Sequence, residues 1–253
     1  MTSLPPELLT ALDTAAATPR LLVTSDFDGT LAPIVNNPLD ARPLPHAAEA
    51  LIALAGIDST TTALISGRAL ATLRELSGMP AAVHLVGSHG AEFDSGFSHA
   101  IDQKLLSTIT DGLSAIAEGK PGVTVETKPA SVALHVRNAS PADGEAALAA
   151  AWDASPAWNA HVTTGKAVLE FAVISTDKGE AVDILRREHD ASAVVFFGDD
   201  VTDEKAFARL TDSDVGVKVG PGDTAAAYRV GSPDDVAAAL RYLADARSRS
   251  PIA

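Results

Sequence analysis

The chain has 253 residues and a net charge of −14, with 46% hydrophobic and 21% charged residues, the make-up of one large soluble domain or two small ones. The acidic balance excludes a broad basic face for nucleic acid. The lack of cysteine excludes disulfides, thiolate zinc sites and cysteine nucleophiles. The N-terminal segment has no basic start followed by an apolar core, and no apolar run reaches membrane-spanning length. The chain is therefore read as cytoplasmic, with no signal peptide and no membrane partner.

Leu21-Leu22-Val23 opens a buried strand over 21–25. It leads into Asp26-Phe27-Asp28-Gly29-Thr30, two carboxylates two residues apart at a strand end and just before a glycine. Alternate side chains of an extended chain point the same way, so Asp26 and Asp28 are expected to converge on one cavity. Such a pair repels unless a proton or cation intervenes, and a magnesium ion, hard and oxygen-seeking, suits it. One Asp is then free to attack phosphorus and the other to shuttle a proton. A helix is expected over 46–54, entered through Pro43 and Pro45. A strand over 62–65 ends at Ser66-Gly67-Arg68, and a helix over 69–76 is stopped by Gly78 and Pro80. A strand over 83–86 ends at Gly87-Ser88-His89-Gly90. This alternation implies a parallel sheet with right-handed crossovers. Ser66 lies at the same sheet edge as Asp26. Its hydroxyl suits either a phosphoryl oxygen or the cap of the following helix. His89 suits either the crevice or a hydrogen bond within its own glycine-rich turn.

The middle of the chain differs. A helix is expected over 102–117, and 123–128 and 132–137 alternate with period two around a turn at Pro129-Ala130. A helix over 142–152 precedes strands over 160–164 and 167–173, joined through Gly165. This doubled helix-strand-strand pattern reads as an α+β module over 94–174, inserted into an α/β core of 1–93 and 175–253. Placed over the C-terminal edge of a parallel sheet, it would cover the ligand crevice. Turns at 87–90 and Ser175-Thr176 are expected to hinge it. Glu126 and Lys128 are expected to share a strand face, as are Lys166 and Glu170. Two acids and two lysines suit a neutral polyol, and equally a solvated face with cross-strand ion pairs. His135 alternates with Val132, Leu134 and Val136, so it should share the opposite face with Arg137 and reads as a satisfied sheet-face histidine.

The parallel rhythm resumes with a helix over 177–187, a strand over 193–197, a helix over 204–210, a strand over 215–219 and a helix over 234–244. Arg247-Ser248-Arg249-Ser250 reads as a disordered tail. Lys178 opens its helix, although lysine favours the other end, which points to a nearby anion. Asp199-Asp200-Val201-Thr202-Asp203-Glu204 places four carboxylates just past a buried strand, an arrangement that requires a cation or outward-facing positions. Asp203 and Glu204 also suit a first helical turn. Asp199, on the loop, does not.

In order, Asp26/Asp28, Ser66, Lys178 and Asp199/Asp203 resemble the four motifs of the haloacid dehalogenase superfamily of phosphotransferases. Several stretches narrow this further: residues 26–34, Ile65-Ser66-Gly67-Arg68, Gly87-Ser88-His89-Gly90-Ala91-Glu92, residues 198–204, Glu126-Thr127-Lys128, Ser131, His135-Val136-Arg137, Gly165-Lys166 and Glu170. These are similar to the trehalose-6-phosphate phosphatase family. The resemblance implies a Rossmann-like core with a parallel sheet and an inserted α+β cap. It implies Mg²⁺-dependent hydrolysis of trehalose 6-phosphate, the last step of trehalose biosynthesis. Asp26 would form an aspartyl-phosphate, Asp28 would serve as acid and base, and Ser66 and Lys178 would bind phosphoryl oxygens. Mg²⁺ would sit on Asp26, the backbone carbonyl of Asp28 and Asp199, supported by Asp200 or Asp203. Substrate contacts would come from Gly67, Arg68, His89, Glu126, Lys128, Arg137, Lys166 and Glu170. Alternatives are a sucrose-phosphate or mannosyl-glycerate-phosphate phosphatase, a phosphomutase, or a non-catalytic sugar-phosphate sensor. A dinucleotide-binding protein is disfavoured, because no G-x-G-x-x-G follows the first strand. Some members of the family carry a further N-terminal domain or a synthase domain. Neither is read here, and a functional link to a separate trehalose-6-phosphate synthase is left open.

Overall fold

The computed structural model describes residues 4–174 and 176–249. They divide into two compact units, one made of the described residues of Met1–Gly96 and Thr176–Ala253, the other of those of Phe97–Ser175. In chain order the elements are α1 (Pro6–Ala16), β1 (Leu21–Ser25), α2 (Pro45–Ala55), β2 (Thr60–Ile65), α3 (Leu70–Ser77), β3 (Val83–Val86) and the two-residue strands β4 (Glu92–Phe93) and β5 (Gly96–Phe97). Next come α4 (Gln103–Ala117), β6 (Thr124–Thr127), β7 (Ser131–His135), α5 (Pro141–Ala154), β8 (His161–Gly165) and β9 (Val168–Ala172). The last are α6 (Lys178–Glu188), β10 (Ala193–Gly198), α7 (Glu204–Phe207), β11 (Val215–Val219), β12 (Tyr228–Val230) and α8 (Pro233–Arg249).

The first unit is a six-stranded parallel sheet in the order β12-β11-β10-β1-β2-β3. Its strands are near-continuous apolar runs because both faces are covered. Leu21, Val23, Val195 and Val217 face Leu8, Leu12, Leu51, Leu54, Leu240 and Leu243 of α1, α2 and α8. Leu22, Ala63, Val194 and Phe196 face Ala181, Val182, Leu185 and Phe207 of α6 and α7. From β1 the chain runs outward to β3, then returns on the other side of β1 at β10. The strand order therefore reverses between β1 and β10, where open parallel sheets place their ligands. Asp26 leaves β1 and Asp199 leaves β10 at this point.

The second unit is an antiparallel sheet in the order β6-β7-β9-β8. Val132, Leu134, Leu169 and Phe171 face Leu106, Ile109, Leu113, Ala147 and Ala151 of α4 and α5, and Trp158 packs edge-on against Phe171 at 5.1 Å. Register places Glu126, Ala133, Glu170 and Thr163 in one row on the other face.

Three readings need correction. Residues 6–16 form a helix that was not expected, although Leu8, Leu12, Ala15 and Ala16 recur at helical spacing and Pro6 opens it. Arg247 lies in the last turn of α8 and is 1% exposed, not in a disordered tail. Its guanidinium donates to the carbonyls of Ala16, Pro19, Ser59 and Thr18 and to Thr60 Oγ1, tying the end of α8 to the entries of β1 and β2. The 87–90 turn lies inside the first unit and is braced by Gly87 N–H to Glu92 O (2.8 Å), Ser88 N–H to Arg68 O (2.7 Å) and His89 N–H to Ser66 O (2.9 Å), which is unsuited to a hinge. Ser175, the other expected hinge position, and Ser250 lie outside the described residues.

Candidate active site

At the end of β1, the Asp26 N–H donates to Phe197 O of β10 at 2.8 Å, so the two strand ends are stitched together before the loops part. Phe27 O then accepts from Leu31 N–H (3.1 Å) and Ala32 N–H (2.8 Å), closing the loop into a tight turn. Gly29 adopts φ +84, and a Cβ there would run into the Asp199 carboxylate. Glycine thus serves both the left-handed backbone and the close approach of an acid from the neighbouring loop.

Asp26 and Lys178 are both buried. Lys178 Nζ donates to Asp26 Oδ1 and to Asp203 Oδ1, each at 2.7 Å. These partners explain a lysine in the first turn of α6, against the helix dipole. The other oxygen of Asp203 accepts the N–H groups of Asp199 (3.0 Å) and Asp200 (2.9 Å). Asp199 Oδ1 accepts from Thr30 Oγ1 at 3.2 Å. Carboxylate oxygens of Asp26, Asp199 and Asp203 lie within 4.8 Å of one another.

Burial pushes the Asp26 carboxyl well above the ordinary range. Lys178 opposes this, while Asp203 and Asp199 add to it. Asp199 is raised for the same reasons, burial first and Asp203 second. Burial also works against the charge of Lys178, but Asp26 and Asp203 outweigh it and hold the ammonium above its usual value. Three crowded carboxylates with one lysine form a hard, oxygen-only donor set short of positive charge, which fits a divalent cation.

The structure does not bring every expected residue to this point. The Asp28 carboxylate is not part of the trio. Arg68 grips it through Nε and Nη2, both at 2.6 Å, and the guanidinium lies 5.7 Å from the centroid of the Phe27 ring. Asp200 is exposed, its Oδ1 accepts from Val201 N–H at 2.7 Å, and it is not one of the three acids whose oxygens gather within 4.8 Å. Ser66 does not cap α3. Its Oγ accepts from Arg68 N–H at 3.2 Å, whereas Leu70 N–H at the start of α3 donates to Glu92 Oε2 at 2.8 Å. The His89 ring lies over Gly67, leaving no room for a Cβ there. Ser88 (φ 51) and His89 (φ 57) are both left-handed, a strain of about 1–3 kcal/mol each that the surrounding hydrogen bonds sustain.

In the second unit the expected pairs recombine. Lys128 lies just past β6 and bonds Glu170 Oε1 at 2.9 Å, an oxygen that also accepts from Ser131 Oγ at 2.6 Å. Glu126 pairs instead with His135 at 2.8 Å. Lys166 sits in the exposed turn between β8 and β9 rather than on a strand with Glu170, and Arg137 is exposed two residues past β7.

Sequence reasoning assigned no role to Thr30, Glu92 or Lys218. Lys218 is 4% exposed, and its Nζ donates to Asp199 O and, at 3.3 Å, to Val219 O. One lysine in the otherwise apolar Val215-Gly216-Val217-Lys218-Val219 was the available signal.

A trehalose-phosphatase family model matches residues 24–234. The chain belongs to the trehalose-phosphatase family. The family lies within the haloacid dehalogenase superfamily. A trehalose-phosphate phosphatase of Mycobacterium avium (strain 104) is 36% identical over 88% of this chain and 62% of its own length. The chain thus spans about three-fifths of that relative. The trehalose-6-phosphate phosphatase of Escherichia coli (strain K12) is 32% identical over 87% of this chain and 85% of its own. Among solved structures, the C-terminal domain of the Candida albicans trehalose-6-phosphate phosphatase superposes with a TM-score of 0.74 at 25% identity, covering 96% of this chain and 98% of that one. Among the described residues, no helix is long and apolar enough to cross a membrane.

Proposed function

We propose that the chain hydrolyses trehalose 6-phosphate to trehalose and inorganic phosphate, the last step of trehalose biosynthesis, through an aspartyl-phosphate on Asp26. The observation that carries this reading is the buried Asp26 held by Lys178 beside Asp199 and Asp203, in a chain of the trehalose-phosphatase family. A divalent cation, of which Mg²⁺ is the kind suited to phosphoryl oxygens, would be held by Asp26, Asp199 and the backbone carbonyl of Asp28, with Asp203 rather than Asp200 in support, and would supply charge neutralisation to the transferring group.

Asp26 attacks phosphorus, and the bond from phosphorus to the sugar oxygen breaks. Asp28, on an oxygen that Arg68 releases and that takes up a proton from solvent, gives that proton to the sugar oxygen as trehalose leaves. It then takes a proton from the water that attacks the phosphorus, and the Asp26–phosphorus bond breaks to release phosphate. Lys178, anchored between two acids, and the Ser66 hydroxyl bind phosphoryl oxygens. Arg68 aims the Asp28 carboxylate. The inserted unit is the sugar reader: Glu126, Lys128 and Glu170 on its polar face, with Arg137 and Lys166, take the glucose hydroxyls, while Gly67 and His89 shape the turn behind Ser66. Polar recognition of this kind rejects sugars lacking a matching hydroxyl, because unmet buried partners are costly.

The test is phosphate release from a panel of sugar phosphates, with Mg²⁺ and with chelator. Trehalose 6-phosphate should be strongly preferred, and chelator should abolish turnover. Asp26→Asn should lower turnover by at least about 10³-fold in a chain that still folds, checked by circular dichroism. Substantial residual turnover in this variant would remove Asp26 from its role. Glu170→Ala should depress hydrolysis of trehalose 6-phosphate by about 10–100-fold while sparing a small aryl phosphate. Equal loss on both substrates would make Glu170 structural. Preference for another sugar would keep the core chemistry and discard the reading of the inserted unit.

A further inference from the structure

Lys218 carries an ammonium into the interior of the sheet. It stands on β11 opposite Gly198, the last residue of β10. Its described acceptors are the main-chain oxygens of Asp199 and Val219, and it forms no ion pair with a carboxylate among the described residues. A buried cation without a carboxylate is costly, and an aliphatic residue would fill a strand at this position with no such cost. What the lysine adds is a hydrogen bond to one particular peptide group, that of Asp199. The N–H of this peptide position is already held by Asp203 Oδ2 at 3.0 Å, and the side chain by Thr30 Oγ1 at 3.2 Å. Lys218 holds the carbonyl. Asp199 is therefore fixed from three directions, by residues from β11, from the start of α7 and from the loop after β1.

We infer that Lys218 is a positioning residue that aims the Asp199 carboxylate and thereby sets the divalent-cation affinity of the Asp26, Asp199 and Asp203 trio. The inference rests on reading that trio as a cation site. Partners one shell removed from a metal typically change affinity by about 10–100-fold when lost. The ammonium's own charge acts the other way, repelling a cation. The sign of the change on removal therefore separates positioning from simple electrostatics.

The experiment is Mn²⁺ binding to the intact chain, read from the electron paramagnetic resonance signal of free Mn²⁺. Asp199→Asn identifies binding at the trio. Lys218→Met and Lys218→Cys should each weaken site binding by about 10–100-fold. The chain contains no cysteine, so Lys218→Cys provides a unique thiol. Alkylating it with 2-bromoethylamine in the unfolded chain, followed by refolding, rebuilds an ammonium at almost the same reach and should restore binding to within a few-fold of the unmodified chain treated in parallel. A merely structural role would lower the melting temperature of both variants and leave Mn²⁺ affinity unchanged. Unchanged affinity, tighter affinity, or failure of both variants to fold would each overturn the assignment. Absence of binding to the unmodified chain would instead overturn the cation reading of the trio, and this inference with it.

Discussion

Asp203 and Asp200 show how far two neighbouring acids of one motif diverge once the chain folds. Asp203 is fully buried, with one oxygen on Lys178 and the other on two peptide N–H groups. Asp200 is exposed, and its carboxylate accepts only from Val201 N–H among its described bonds. Asp203→Ala leaves Lys178 half-paired and two N–H groups unmet, and should cost about 3–5 kcal/mol of stability as well as nearly all activity. Asp200→Ala should stay within about 0.5 kcal/mol of the parent. Urea titration of both variants checks the contrast, and equal losses would mean that the loop is held in some other way. The spacing of acids along the sequence could not separate them, because the difference lies in which acid the fold packs against Gly198 and Lys178, not in residue type. Asp26, Lys178 and Asp199 were legible because an acid or a lysine at an apolar strand or helix end has few structural uses. The grip of Arg68 on Asp28 was not, since it joins residues from loops after different strands.

At the scale of elements, Asp102, Ser140 and Asp177 cap α4, α5 and α6 locally, whereas α3 is held by a residue farther away in sequence. The start of α3 is capped by Glu92, which also accepts from Ser88 Oγ at 3.3 Å, so one carboxylate braces both the helix behind Ser66 and the left-handed turn carrying His89. Glu92→Ala should cost about 1–2 kcal/mol, at the upper end for a lost cap, whereas Ser66→Ala should disturb α3 far less. Chemical denaturation of the two variants tests the order. The other sheet layer has a comparable anchor in Asp214, whose side chain is fully buried. It accepts from Arg186 of α6 (2.5 Å), Val194 N–H of β10 (2.8 Å) and Thr211 N–H (2.7 Å). Burial pushes this carboxyl up, but the hydrogen bonds from Arg186, Thr211 and Val194 prevail and hold it below 3.8. A carboxyl lowered by folding contributes stability that is complete above its unfolded value, near 3.8, and is lost as the pH falls through the lower folded value. The melting temperature of Asp214→Asn should therefore fall less steeply below about pH 4 than that of the parent. An identical slope would show that Asp214 gains nothing from ionising in the fold. Local pattern located most of these helices and strands to within a few residues. It missed β12, because Tyr228–Val230 is too short to show a period, and it ended α8 too early, because an arginine buried against carbonyls looks like a solvated one in sequence.

For the whole molecule, the alternation of strands and helices sufficed for a parallel sheet and for a break in that rhythm in the middle of the chain, since both follow from local periodicity. The pairing of β1 with β10 depends on residues from opposite ends of the chain and is visible only in the fold. That pairing bears on how the protein comes into being. As the polypeptide leaves the ribosome, β1, β2 and β3 appear early, but the open flank of β1 has no partner until Ala193–Gly198 has been made. The antiparallel unit emerges in the interval and closes on itself through neighbours near in sequence. For that period the nascent chain exposes an apolar half-sheet with an unpaired edge, the kind of surface that templates aggregation and recruits chaperones. The acidic trio is divided along the same seam, with Asp26 on the early side and Asp199 and Asp203, together with their partner Lys178, on the late side. An incompletely folded chain therefore lacks the assembled acidic cluster, because its two halves come from opposite ends of the sequence.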